Sequence, residues 1–185
     1  MNIKSKAALL LTISFGITGL AMADDDSYFI DKWKGAPKSY LNKADHEKYL
    51  KECGACHFAY QPGLLSAASW EKIMANLSDH FGENAELPTS EVNSIRNYLL
   101  NNAAGRVNTK LSSKMIQGSN AKQPIMRITE TPYFKKEHDE IPARMVKDNL
   151  DVRSFSRCDA CHTRAADASF NEHEVKIPGY GRWED

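Results

Sequence analysis

Cysteine is scarce. Four cysteines in 185 residues exclude a small domain stapled by many disulfides. An excess of charge of one sign is also missing. The chain has 24 basic and 24 acidic side chains, so its composition gives no support to a nucleic-acid partner, which would need a basic face. Beyond Ala23 no apolar run approaches the roughly 20 residues that a membrane-spanning helix needs. The hydrophobic content of 42% and charged content of 26% are ordinary for a folded protein and exclude a wholly disordered chain. The length admits one compact domain or two small ones.

What is present begins with an export signal. Lys4 and Lys6 form a positive head, residues 7–20 are apolar or small, and Ala21-Met22-Ala23 offers a cleavage site before Asp24-Asp25-Asp26. This is the order of a secretory signal peptide over residues 1–23, too short in its apolar run for an anchor. The expected mature chain starts at Asp24, has 22 basic and 24 acidic side chains, and resides in the bacterial periplasm without an integral membrane segment. That compartment is oxidising, so paired cysteines there need explaining as disulfides, metal ligands or cofactor attachments.

The cysteines fall into two copies of one pattern, Cys53-Gly54-Ala55-Cys56-His57 and Cys158-Asp159-Ala160-Cys161-His162. C-x-x-C-H is the attachment signature of c-type haem. Two thiols add to the two vinyl groups on one edge of the porphyrin, and the next residue, His, is placed as the proximal iron ligand. A four-cysteine zinc site would not need a His after each pair, and the two motifs lie 105 residues apart, long for a zinc ribbon. Thioredoxin-like redox chemistry would need a βαβ setting that the sequence lacks. Two local disulfides would leave both histidines unexplained. Two haem c groups are therefore expected, held by Cys53, Cys56, Cys158 and Cys161.

Around the first motif the pattern is helical. Residues 24–42 read as an irregular lead-in, and residues 44–50 as a short helix running into Cys53. Trp70, Ile73, Met74, Leu77 and Phe81 recur at helical spacing, so a helix is expected over 66–81, capped by Ser66 or Ser69 and stopped by Gly82. A second is expected over 88–101, starting at Thr89 or Ser90 and burying Val92, Ile95 and Leu99, with Gly105 closing the stretch. Residues 106–123 are polar and read as a linker, with the domain boundary near 115. The second half carries Pro124, Pro132, Pro142 and Pro178 and no long periodic helix. Only Thr131-Pro132 signals a short helix through His138. The expected fold is mainly α: a class I-like cytochrome c domain over 24–115, then an irregular, loop-rich haem domain over 116–185 wrapped around its haem.

Six histidines are present, and two are the proximal His57 and His162. His80, on the apolar stripe after Ile73 and Leu77, is the first candidate for a distal ligand, because a core that contains a haem can use it. His138 and His173 compete for the second iron, and spacing does not separate them. His46 reads as a solvent-facing helix residue and Met74 as packing. Met115, Met126 and Met145 are the other possible axial ligands. Arg127, Arg144, Arg153, Arg157 and Arg164 are candidates to pair with haem propionates.

These residues together resemble the DHC-type dihaem cytochromes c, from about Glu52 to Pro178. The resemblance rests on Glu52 with the first motif, Ser69-Trp70 with Ile73-Met74 and Leu77, and the segment from Asp79-His80-Phe81-Gly82 to Ala85. It continues through Arg127-Ile128-Thr129, Phe134, Glu137-His138, Ile141-Pro142, the second motif, Phe170 and Ile177-Pro178. It implies two bis-His haem domains close enough for direct electron transfer, with His80 paired to His57 and His138 to His162, His173 being the alternative. It also implies a periplasmic electron carrier serving a small oxygen-binding cytochrome c and a membrane b-type cytochrome. Bis-His irons are low-spin and saturated, and lie at lower potential than His/Met irons. The competing readings are a small dihaem enzyme of peroxidase or reductase type, or a haem-based sensor; either needs an open or displaceable iron site. The abundance of spare histidines favours the carrier.

Overall fold

The computed structural model describes residues 43–183; the expected signal peptide and lead-in lie outside the described residues. Among the described residues no helix is long and apolar enough to cross a membrane. The structure is mainly helical, with short 3-10 turns and one small hairpin.

Helix α1 runs over Lys43–Cys53, with Asp45 in its first turn and Lys51 in its last, each of the sign that the helix dipole favours at that end. It delivers the first cysteine at its final residue. Helix α2 spans Ala67–Met74, capped by Ser66, whose hydroxyl accepts from the Ser69 amide. Helix α3 spans Thr89–Asn101 and buries Ile95, Tyr98 and Leu99. The three helices form one core. Tyr49 of α1 meets Tyr98 of α3 with ring centroids 5.4 Å apart. Arg96 of α3 forks onto the Glu71 carboxylate of α2 at 2.6 and 3.0 Å.

The expected helix over 66–81 is shorter in the structure. It ends at Met74, and a separate 3-10 turn covers Leu77–Asp79. Asn76 leaves helical geometry at φ −135°, and its side-chain amide donates to the Asp79 carbonyl at 3.3 Å. Asn, Ser and Asp side chains compete with helical hydrogen bonding in this way, which the apolar spacing alone does not register.

Trp70 anchors this half. It is buried, and its indole N–H donates to the Pro62 carbonyl at 2.8 Å. Replacing it with phenylalanine leaves that carbonyl only the long 3.4 Å bond from the Leu65 amide and opens a gap. The expected loss is about 2 kcal/mol, read as a fall of roughly 4–8 °C in the Tm of the haem-loaded protein.

The polar stretch 106–123 is not a loose linker. Thr109 caps helix α4, Lys110–Met115, by accepting from the Ser112 amide. Ser112 and Met115 are buried, and Met115 joins the core of the first three helices. Beyond it the helices are short: α5 over Pro132–Glu137, α6 over Ala143–Val146 and α7 over Cys158–Cys161. Strands β1 (Lys176–Ile177) and β2 (Gly181–Arg182) pair antiparallel. Thr131 caps α5 through a hydroxyl that accepts from Phe134 and donates to the Ile128 carbonyl, and the helix ends at His138, as the Thr-Pro signal indicates.

Candidate haem sites

The first site starts at the end of α1. The Gly54 amide donates to the Leu50 carbonyl at 3.0 Å, and a Cβ at Gly54 would meet that oxygen at 2.2 Å. Glycine is therefore required to carry the chain from helix to motif in this arrangement. His57 follows, exposed, with Nδ1 2.8 Å from the Phe58 carbonyl. A carbonyl can only accept, so Nδ1 carries the proton and Nε2 keeps its lone pair for a metal.

Opposite it stands His80, not on a helix stripe but at the end of the 3-10 turn. Its amide donates to the Glu83 carbonyl at 2.7 Å, and Glu83 returns a bond at 3.3 Å. Asp79 accepts from the Gly82 amide at 3.0 Å. Phe81 at φ +60° and Gly82 at φ +103° both take left-handed backbone, a cost that Gly bears easily and Phe does not. This tight turn aims the imidazole of His80 at His57, with ring centroids 6.1 Å apart and planes 12° from parallel. Burial lowers the pKa of His80, and the neighbouring His57 and Arg127 charges add to the effect. The neutral imidazole is the form that ligates metal.

The second site is built on α7 and α5. Cys158 is buried, Cys161 partly so, and burial pushes both thiols up, Cys158 to about 12. That environment suits a sulfur bound to the edge of an apolar ring. His162 caps α7, and burial, then the nearby His138, pushes it down to about 4. His138 lies across from it, ring centroids 6.1 Å apart and planes at 63°. Phe134 stacks on His138 at 3.9 Å, and the Phe134 carbonyl lies 2.9 Å from Nδ1, which again frees Nε2. Between these groups opens a cavity with about 1100 Å³ of atom-free space, part of it open to solvent, lined by both cysteines, both histidines, Phe155 and Val175 among others.

Both sites fit a haem. Two metal–nitrogen bonds of about 2 Å each, the length usual for His, fit between each pair of rings at 6.1 Å centroid spacing, the remaining distance lying within the imidazoles. Nδ1 of His162 is buried without a hydrogen-bond partner, a costly state for an imidazole held by protein atoms alone. An iron bond at the other nitrogen would fix that ring. The four cysteine thiols are free, and among the described residues no group of three or more His, Cys, Asp or Glu gathers to hold a metal ion. All four cysteines are described, so the four-cysteine zinc arrangement is not formed.

The remaining histidines have other surroundings. His46 is not a solvent-facing residue: it is partly buried, and its Nδ1 lies 2.7 Å from the Tyr98 hydroxyl. His173 is exposed in the 3-10 turn Glu172–Glu174. Met74 and Met115 are buried in the helical core.

Comparison with known proteins matches residues 49–170 to the family described as dihaem cytochrome c. The chain is 41% identical to the solved dihaem cytochrome c of Shewanella baltica OS155, covering 76% of this chain and 98% of that one with a TM-score of 0.63. The chain belongs to the dihaem cytochrome c family. A second solved relative, the dihaem cytochrome c of Rhodobacter sphaeroides, is 39% identical over 67% of this chain and 95% of its own, with a TM-score of 0.60. A search of curated proteins finds no match. As a dihaem cytochrome c, the chain binds two haem c groups.

Three residues of this cytochrome that the motifs do not flag join its two halves. The Tyr60 ring packs on His57 with centroids 5.1 Å apart, and its hydroxyl donates to the Ser156 carbonyl at 2.9 Å. Gln61 donates to the Ala165 carbonyl at 3.4 Å. Arg127, expected as a propionate partner, lies 4.3 Å from the centre of the Phe81 ring and 3.8 Å from Glu130. An aromatic shortly after a C-x-x-C-H motif carries no sequence signal of its own. Only the fold reveals that Tyr60 reaches a segment 96 residues away.

Proposed function

We propose that this dihaem cytochrome c is a periplasmic electron carrier whose two irons are both bis-His ligated, by His57 and His80 at the first haem and by His162 and His138 at the second. The observation that carries the reading is the repeated pairing of each motif histidine with a second imidazole at 6.1 Å. Each haem supplies a one-electron ferric–ferrous couple when bound. The chain does the rest. The thioether cysteines fix each ring by one edge, and the Phe58 and Phe134 carbonyls orient His57 and His138. The turn at Asp79–Glu83 presents His80, and the apolar cavity around His162 excludes water. No proton need move.

The division into two haem domains, 24–115 and 116–185, and the export signal over 1–23 belong to this reading. So do partners that dock transiently: a small oxygen-binding cytochrome c and a membrane b-type cytochrome, in keeping with the near-neutral mature chain. Saturated irons disfavour the peroxidase-like, reductase-like and sensor readings, each of which needs an open position.

The test is spectroscopic. The haem-loaded protein is expected to be low-spin in both oxidation states, to lack a methionine–iron band and to ignore carbon monoxide. Electron paramagnetic resonance of the oxidised protein should resolve two different low-spin irons. The near-parallel rings at the first site would split the d orbitals of a bound iron more than the crossed rings at the second would. A high-spin component, or carbon monoxide binding at either haem, would remove the bis-His assignment there.

A further inference from the structure

The two residues that follow the first haem motif by three and four positions both reach across to the second. Tyr60 donates to the Ser156 carbonyl, two residues before Cys158, and Gln61 to the Ala165 carbonyl, three residues after His162. The second attachment motif is thus held on both flanks by the loop that leaves the first. Tyr60 is itself fixed at both ends. Its carbonyl accepts from the buried Tyr49 hydroxyl at 2.6 Å, and its ring lies against His57 and, edge-on at 5.7 Å, Phe58. One side chain therefore touches the proximal ligand of the first haem and the backbone leading into the thioether of the second.

We propose that Tyr60 is the positioning residue of the inter-haem junction: its ring and hydroxyl set the separation and orientation of the two attachment motifs and so the rate at which electrons pass between the haems. The inference rests on the carrier reading above. In the step concerned, one electron leaves the ferrous iron of one haem and reduces the ferric iron of the other. No covalent bond forms or breaks and no proton is transferred. The junction therefore contributes geometry alone. It joins His57, the Tyr60 ring, one hydrogen bond and the two residues from Ser156 to Cys158.

The experiment uses the haem-loaded protein, its Tyr60→Phe variant, which keeps the ring and loses the donor, and Tyr60→Leu, which loses both. Three quantities are read: the rate of electron redistribution between the haems after flash reduction, the exciton couplet of the two haems in Soret circular dichroism, and amide exchange at Arg157 and His162, whose bonds to Ser154 and Cys158 close the turns beside the second motif. Tyr60→Phe is expected to keep both low-spin spectra. Its exchange at those amides should rise about fivefold, as loss of one net hydrogen bond gives, with a weaker couplet and slower redistribution. Tyr60→Leu should move all three further. If the variants match the wild type in redistribution rate and couplet, the proposal is overturned. It is also overturned if Tyr60→Phe is unchanged and only Tyr60→Leu responds, because the ring alone would then suffice. Failure of the carrier reading is distinguishable: it would appear in the wild type, as a high-spin haem or as no redistribution at all.

Discussion

Replacing His138 with alanine is expected to turn half of the protein's haem high-spin and able to bind carbon monoxide, while His173→Ala leaves both haems low-spin. Both residues are histidines with charged neighbours in sequence, and spacing from His162 does not choose between them. The fold does separate them. His138 closes α5 with its ring 6.1 Å from His162, its Nδ1 proton given to the Phe134 carbonyl and its face stacked on Phe134. His173 is exposed in the turn Glu172–Glu174. Removing the proposed ligand would open the second iron's position, and His173 does not line the cavity around it. His80→Ala should do the same at the first haem, where the paired turn at Asp79–Glu83 holds the only candidate ring near His57 among the described residues. Absorption spectra with and without carbon monoxide, with haem content measured on the same sample, read the result. Carbon monoxide binding by His173→Ala with none by His138→Ala would reverse the assignment at the second iron.

The contrast between these two histidines marks where sequence ceases to suffice. Covalent attachment is legible because its chemistry is local: two thiols and a ligand must sit within five residues, and the C-x-x-C-H spelling follows. Helices α2 and α3 are legible for a similar reason, since the apolar spacing of Trp70, Ile73 and Met74, the Ser66 cap and the Ile95–Leu99 stripe are nearest-neighbour signals. His80 is a candidate from sequence, but for a reason the structure does not bear out. The apolar stripe suggested a helix through Phe81, whereas the chain leaves the helix after Met74 and presents His80 from a turn. Residues 106–123 read as a linker in sequence because small polar residues usually make loops. Here Ser112 is buried, and Met115 and Leu111 tie the segment to the core. Tyr60, Gln61 and His46 act through partners between 52 and 104 residues distant, and no local pattern encodes such contacts.

Preventing attachment of the second haem, by Cys158→Ala with Cys161→Ala and His162→Ala, is expected to unfold the region after α5 while the helices around the first haem survive. The second half has little else to fold around. Its helices α5 to α7 are six, four and four residues long, far below the roughly 12–15 residues at which an isolated helix becomes even marginal. The buried Val146, Val152, Val175 and Ile177 all face the cavity that would receive the haem. Without that group their apolar surface has no partner, and burial against nothing contributes no stability. A cofactor that binds only the folded form contributes its binding free energy to folding, so losing it removes that contribution outright. The first half is different. Tyr49, Trp70, Ile95, Tyr98 and Leu99 pack on one another, and none of these five lines the second cavity. Hydrogen exchange read by mass spectrometry, on protein containing one haem per chain, is the measurement. Amides over 143–183 should exchange as an unfolded chain does, and those of α2 and α3 should stay protected. Equal protection of both regions would mean that the contacts of Tyr60, Gln61 and Arg127 with the other half, not the haem, hold the second half together.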